Sequence, residues 1–488
     1  MLPASTFDAG SLGHDLLEVL TKSSRKANKA TQNTVMRSPV FVRRRCARDG
    51  TKSGLPQRNR GVVMIRSFGE LVNRSRPLAL LSGIVLSSVI GMAAEPTRMT
   101  DEALTLHRQS FVFDGHNNLA MQLRKRPDLT ADSIDLNAPQ SKLHTDIPRL
   151  RRGGVGAEFF ATYVSADSVK KGTAVRETLE QIDQIVRLVK RHSDAMEWAG
   201  STADLDRIHK ADKVSALIAV EGGNAIESSL VVLQTYFKAG ARCLALTHDD
   251  TTDWADAALD KAKHKGLAKF GEQVVAEMNR LGMVIDLSHA SEETAMDTLM
   301  ICKAPVIFSH TGAHKLAPHP RNVSDDVLKA VAKNGGVVMV NFYSGFLTAE
   351  TVKAYEKRTK AAVDLRKSFK TDEQFQVALV AWLKEHPLPT TSVKEVVDHI
   401  DHIGKVAGFD HVGLGSNFDG VVSLPQNLED VSCFPHLTQE MLNRGYSHEK
   451  IQKVLGGNAQ RAFREVEAVA KSVSFAVPTP ISTASGGK

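Results

Sequence analysis

Short apolar runs, each followed by a longer amphipathic stretch, recur through this 488-residue chain. Eight runs can be read, at 110–115 (SFVFDG), 155–164 (VGAEFFATYV), 215–221 (SALIAVE), 241–248 (ARCLALTH), 283–289 (MVIDLSH), 304–310 (APVIFSH), 336–342 (GVVMVNF) and 411–418 (HVGLGSNF). Strands separated by helix-length segments predict parallel βα units. Eight such units close into a barrel, so the expected class is α/β, a (β/α)8 TIM barrel over about 100–470. An open doubly wound sheet is the alternative. No GxGxxG or P-loop opens a helix, which argues against its nucleotide-binding form. The segment 266–282 (GLAKFGEQVVAEMNRLG) has helical apolar spacing and ends in glycine, as a surface helix of such a barrel should. The stretch 347–400 exceeds one connection and predicts an extra helical insertion, with a break at Pro387 and Pro389.

The formal charge of +7 points to an anionic partner only until its distribution is examined. Residues 1–63 hold 12 Lys/Arg against 4 Asp/Glu, leaving 50 against 51 elsewhere. The folded part is therefore near neutral, and a nucleic-acid partner is not expected. Cys46, Cys243, Cys302 and Cys433 lie far apart with no CxxC spacing, so neither a zinc ribbon nor a dense disulfide framework is implied.

The run 78–94 (LALLSGIVLSSVIGMAA) is uncharged, follows Arg66, Arg74 and Arg76, and precedes polar EPTRMT. That is the layout of a secretory signal over 64–94, with a retained membrane anchor as the alternative. Cleavage would leave the protein secreted or periplasmic. The basic segment 1–63 reads as a structureless extension, or as sequence preceding a true start at Met64. The tail 471–488 reads as disordered, being rich in Pro, Ser and Gly over most of its length.

In a barrel of this kind the active site gathers at the C-terminal strand ends. His116 and Asn118 follow the first run, Glu221 closes the third and His248 the fourth. His289 closes the fifth and His310 the sixth; Asn417 and Asp419 lie at the eighth. One histidine at a strand end is usually a hydrogen-bonded structural residue. Four on the same face with a glutamate describe a metallo-dependent hydrolase, because imidazole nitrogen and carboxylate oxygen suit Zn²⁺. Glu221 is placed to bridge two ions, and such a pair activates water and clamps a developing oxyanion. The alternative for Glu221 is a pairing with a nearby cation.

The motifs DGHNN (114–118), TDIPRLRRGGVGAEFF (145–160), AVEGG (219–223), ALTHDDTTDWAD (245–256), IDLSHAS (285–291), IFSHTGAH (307–314), HPRNVSDD (319–326), HVGLGSNFDGV (411–421), LEDVSCFPHL (428–437) and LGGNAQRAF (455–463) together resemble the membrane (renal) dipeptidase family of zinc metallopeptidases, peptidase family M19. The resemblance spans about 108–466 in the family's order. It implies a two-zinc barrel that hydrolyses dipeptides, typically tolerating D-residues at the C-terminal side, and a homodimer. By motif, His116 and the residue at 118 would ligate one ion, Glu221 would bridge, and His289 and His310 would ligate the other. His248 would polarise the scissile carbonyl or its oxyanion. Arg321 would bind the substrate carboxylate, a task suited to its planar donor fork; standing alone, HPRN would suggest only a surface salt bridge.

Two positions depart from the family pattern. Its first motif ends HxD, and here the last residue is Asn118; its eighth-strand motif is usually GSDFDG, and here the first aspartate is Asn417. An amide can coordinate a metal without supplying charge, so the His116-side ion should bind weakly or be lost. It cannot carry a proton at neutral pH, so general acid/base catalysis would be lost unless Asp419 substitutes. Two readings stay open. One is a secreted dipeptidase-like metallohydrolase holding one or two Zn²⁺ ions. The other is a non-hydrolytic or retuned homologue that binds and helps mature a peptide-derived metabolite. A different amidohydrolase, acting on lactams or N-acyl amino acids, accounts less well for HPRN and LEDVS.

Overall fold

The computed structural model describes residues 98–125 and 130–474. The segments read as extension and signal, residues 475–488 of the tail and Cys46 lie outside the described residues. Nine parallel strands form one sheet: β1 (Val112–Asn117), β2 (Val155–Tyr163), β3 (Met196–Trp198), β4 (Val214–Glu221), β5 (Ala241–Ala245), β6 (Val284–Asp286), β7 (Ile307–Thr311), β8 (Val337–Val340) and β9 (Val412–Leu414). Pairing runs β1–β2–β4–β5–β6–β7–β8–β9 and returns from β9 to β1, closing an eight-stranded barrel. These eight strands coincide with the eight apolar runs.

The ninth strand was not expected. β3 pairs Met196 with Val214 and Trp198 with Ala216, alongside the first residues of β4, before β5 takes over at Ile218. With three residues, only the first of them buried, it has too short a pattern to signal itself.

The period-two geometry of a strand sorts side chains between two cores. In β4, Leu217 and Ala219 face the barrel interior with Phe113, Phe159, Val284, Ile307 and Met339. Alternate residues Ala216, Ile218 and Val220 face the surrounding helices. Glu221 continues the inward set, which brings its carboxylate to the mouth. The last helix, Asn458–Ser474, contributes Ala459, Ala462, Phe463 and Val466 to the interior core. It also runs into the segment read as tail, so residues 471–474 are helical.

The helices are punctuated as their sequences suggest. Ser291 and Ser324 cap helices Glu292–Ile301 and Asp325–Asn334 through the amides of Thr294 and Val327. Gly282 ends helix Lys269–Leu281 at φ +75°, a conformation glycine adopts without cost. The insertion is a helical pair, Ala349–Ser368 and Asp372–Glu385, with a small core of Ala362, Phe375, Leu379 and Leu383. Cys243, Cys302 and Cys433 are free thiols, and no helix among the described residues is long and apolar enough to cross a membrane.

Candidate metal centre

The ladders of β1 and β7 are irregular between Asp114 and Asn117 and between Phe308 and Thr311. Such irregularities re-aim side chains at strand ends, and these two carry His116 and His310. His289 lies three residues beyond β6 at φ +69°, and Asn417 lies beyond β9 at φ +62°. Left-handed backbone is uncommon for residues other than glycine and is concentrated at functional sites.

All four strand-end imidazoles converge on one oxygen. From Glu221 Oε1, the Nε2 atoms of His116, His289, His248 and His310 stand at 3.3, 3.5, 3.7 and 3.7 Å. The His116 and His310 ring centroids are 3.9 Å apart, and those of His248 and His289 4.1 Å. Burial acts to raise the Glu221 carboxyl, but the imidazoles of His116, His289 and His248 outweigh it and hold the group well below its ordinary value.

Hydrogen bonding determines which nitrogens face inward. The outer Nδ1 of His289 meets Asp249 Oδ1 at 3.0 Å. Ser309 Oγ donates to Asp286 Oδ2 at 2.5 Å, so at 2.8 Å it must accept from His310 Nδ1–H. His310 therefore presents a bare Nε2 lone pair, and His289 Nε2 stands 3.0 Å from it, close enough to donate a hydrogen bond to it or to share a cation with it. A metal ion bound between them would take the place of that hydrogen. Burial, followed by the positive environment of His116, Arg321 and His289, keeps His310 well below its ordinary pKa and hence neutral. His116 is 1% exposed and neither of its ring nitrogens makes a well-aligned hydrogen bond. Ligands of one tetrahedral zinc, with bonds of about 2.0–2.1 Å, stand about 3.3–3.4 Å apart. The donor types and their spacing fit zinc.

The two amides meet beside this cluster. Asn118 Nδ2 donates to Glu221 Oε2 at 3.1 Å. A Cβ at Gly420 would stand 2.2 Å from both Asn118 Oδ1 and Asn417 Oδ1, so only glycine fits between them. As placed, Asn118 holds the glutamate with its donor end rather than offering an oxygen inward. Asn417 lines the central cavity. Asp419 does not: its Oδ1 accepts from His144 N at 2.7 Å, which turns the carboxylate toward the 144 loop. Asp419 is thus not brought to the place of the missing acid/base.

Arg321 is 4% exposed and borders the same cavity, with Nη2 donating to His310 O at 3.3 Å. Tyr343, Phe346 and Tyr355 form an aromatic wall, and His319 stacks on Phe346 at 4.3 Å. Burial and the neighbouring Arg321 push His319 down to about 4. The cavity retains about 50 Å³ for water-sized molecules. Asp249 and Tyr355 were missed by sequence reasoning. The rule that a ligating histidine needs an outer hydrogen-bond partner could have pointed to Asp249; Tyr355 comes from the insertion, whose sequence does not reveal where it packs.

The comparisons with known proteins agree with this architecture. The family model described as membrane dipeptidase (peptidase family M19) matches residues 100–476. Mouse dipeptidase 3 is 37% identical over 377 residues, 76% of this chain and 68% of the relative. The chain belongs to the M19 membrane dipeptidase family, a family of metallopeptidases. The solved structure of the probable dipeptidase PvdM from Pseudomonas aeruginosa matches with a TM-score of 0.66 at 23% identity, covering 76% of this chain and 98% of that one. A metallopeptidase from Rhodobacter sphaeroides, liganded with a phosphinate mimic of the dipeptide L-Ala-D-Ala, matches at 0.60 and 24%, covering 73% and 99%.

Proposed function

We propose that this chain is a zinc-dependent hydrolase of dipeptides whose turnover is held low by the amides at 118 and 417. The observation that carries this reading is the convergence of four imidazole nitrogens on the ionised Glu221 oxygen. Zinc held there would supply Lewis acidity and a water that ionises near neutral pH. Glu221, His289 and His310 would hold it, with His116 beside them. Arg321 would bind the substrate carboxylate, and the aromatic wall would exclude bulk water from the bond to be cleaved. The dipeptide mimic on the Rhodobacter sphaeroides protein supports a dipeptide as ligand.

A non-hydrolytic role is the second reading, favoured by one observation. The amide of Asn417 lines the cavity where an acid/base is needed, while Asp419 is turned to His144. Such a protein would bind a peptide-like molecule and support its processing. Export rests on the apolar run 78–94, so we place the mature protein outside the cytoplasm, as a secreted or periplasmic protein or anchored by that run. Homodimerisation is carried over from the family.

The test is release of free amino acids from dipeptides by the zinc-loaded protein at high concentration. Slow, zinc-dependent release supports the hydrolase. Saturable dipeptide binding without release, with zinc present, rejects it in favour of the second reading.

A further inference from the structure

The inserted helical pair is tied together from within. Arg358, on helix Ala349–Ser368, donates from Nε to His386 O at 2.8 Å and from Nη2 to Leu383 O at 3.3 Å. Those bonds cover carbonyls left open at the end of helix Asp372–Glu385. At the other end of the pair Arg366 meets Asp372 at 2.6 Å and lies 5.3 Å over the ring of Phe375. The buried residues of the second helix, Phe375, Leu379 and Leu383, all pack into the pair's own core and none enters the cores of the barrel.

Attachment to the barrel is narrow. Besides Ala362, the first helix buries Thr351, Val352 and Tyr355, all within its first two turns. The chain is fixed where the insertion leaves and returns. His399 Nε2 meets Leu347 O at 2.9 Å, just before the cap Thr348, and Thr391 Oγ1 donates to Ser344 Oγ at 2.9 Å. Between the second helix and that second anchor, residues 387–391 form neither helix nor strand. Element ends and short irregular stretches of this kind absorb the backbone rotation of a hinge.

The narrow attachment is also a wall of the metal cavity. Tyr355 is 6% exposed and, among the described residues, is the one that the pair supplies to the cavity lining. Its ring stands edge-on to Phe346, Tyr343 and His319, with centroids 5.4, 6.0 and 5.4 Å away. Each such contact is favourable but modest, so together they close the wall without locking it. The cavity holds about 50 Å³, whereas a single water occupies about 30 Å³ of the liquid. A dipeptide is far larger, so the wall must give way for one to enter. Tyr343 and Phe346 follow directly on the barrel strand Val337–Val340, whereas Tyr355 is carried by the pair.

We propose that Tyr355 is a ligand-contacting residue of this chain, carried by a helical lid, Ala349–Glu385, that swings as one body to admit a dipeptide and then closes the aromatic wall over it. The inference rests on the ligand-binding part of the proposed function, which both readings there share. A lid of this kind excludes water from the site and retains the ligand once bound.

The test uses the full zinc-loaded protein and the phosphinate mimic of L-Ala-D-Ala, in which a phosphinate stands in place of the scissile amide. Stopped-flow mixing, followed by tryptophan fluorescence to which Trp382 on the second helix contributes, gives its association and dissociation rate constants. Y355A leaves the entrance open, so association should quicken by about ten-fold and dissociation by more. Y355F keeps the ring and should match the wild type. V377A, at a position 68% exposed on the second helix, should leave both constants unchanged. Unchanged constants in Y355A overturn the inference, as does a Y355F protein altered as much as Y355A. If Y355A does not fold, hydrogen exchange of the wild type decides. The mimic should slow exchange of amides 349–355, and equal exchange with and without it overturns the inference. A parent that binds no mimic overturns this inference and the proposed function together. Binding of the mimic without release of amino acids from dipeptides rejects the hydrolase alone and leaves the lid standing.

Discussion

Replacing Asn118 by aspartate, N118D, exchanges a donor for an anion at a distance the structure fixes. Asn118 Nδ2 is 3.1 Å from Glu221 Oε2, and the two residues are 3% and 5% exposed. Two carboxylates at that separation would repel by about 5 kcal/mol at an effective dielectric of about 20. Protonating the new group instead costs about 4 kcal/mol at pH 7, from an ordinary aspartate pKa of about 3.9. The cheaper route sets the result: the metal-free variant should be about 4 kcal/mol less stable at pH 7. The new carboxyl is pushed up in the folded state, so the penalty shrinks by about 1.4 kcal/mol for each pH unit lowered toward 4. Zinc reverses the sign, because an added anion beside a bound cation strengthens binding. Urea denaturation of both proteins, with zinc and with chelator, at pH 7 and pH 5, measures each quantity. Equal metal-free stability, or a loss that zinc does not repair, would refute the placement of residue 118 beside the metal.

Other outcomes follow from the same geometry. N417D restores a proton carrier on the cavity wall and should raise dipeptide turnover by about 10²–10⁴-fold, read from initial rates with saturating zinc. R321A removes a charged donor and should weaken a dipeptide carboxylate by about 1.5–3 kcal/mol, or roughly 10–150-fold, in a calorimetric titration. His319 and His399 are held at about 4 by burial, so the folded state resists protons that the unfolded chain accepts below about 6.5. Stability should then fall by about 4 kcal/mol between pH 7 and pH 5, with the loss ending near pH 4; H399Q should remove about half of it.

The barrel was legible because each strand carries its own apolar run and each crossover its own helical spacing. The mouth was legible for the same reason: a residue such as Glu221, closing a run, must emerge at the strand end. Residues whose positions depend on long-range packing were not. Asp419 sits two residues from Asn417, yet both have left-handed backbone, and the side chain of Asp419 turns to His144. Tyr355 reaches the cavity only because the inserted helix folds back over it. The stacking of His248 on His289, beside Gly222, is a coincidence in space that spacing along the chain does not encode.

The central claim is that Glu221, His289 and His310 hold a metal ion. Thermal denaturation of the wild type and of H310A across a zinc titration tests it most directly. The wild type should gain about 2.7 kcal/mol when free zinc reaches about 100 times its dissociation constant, and H310A should gain little at the same concentration. A wild type whose stability does not depend on zinc, or an H310A protein that gains as much, would contradict the account.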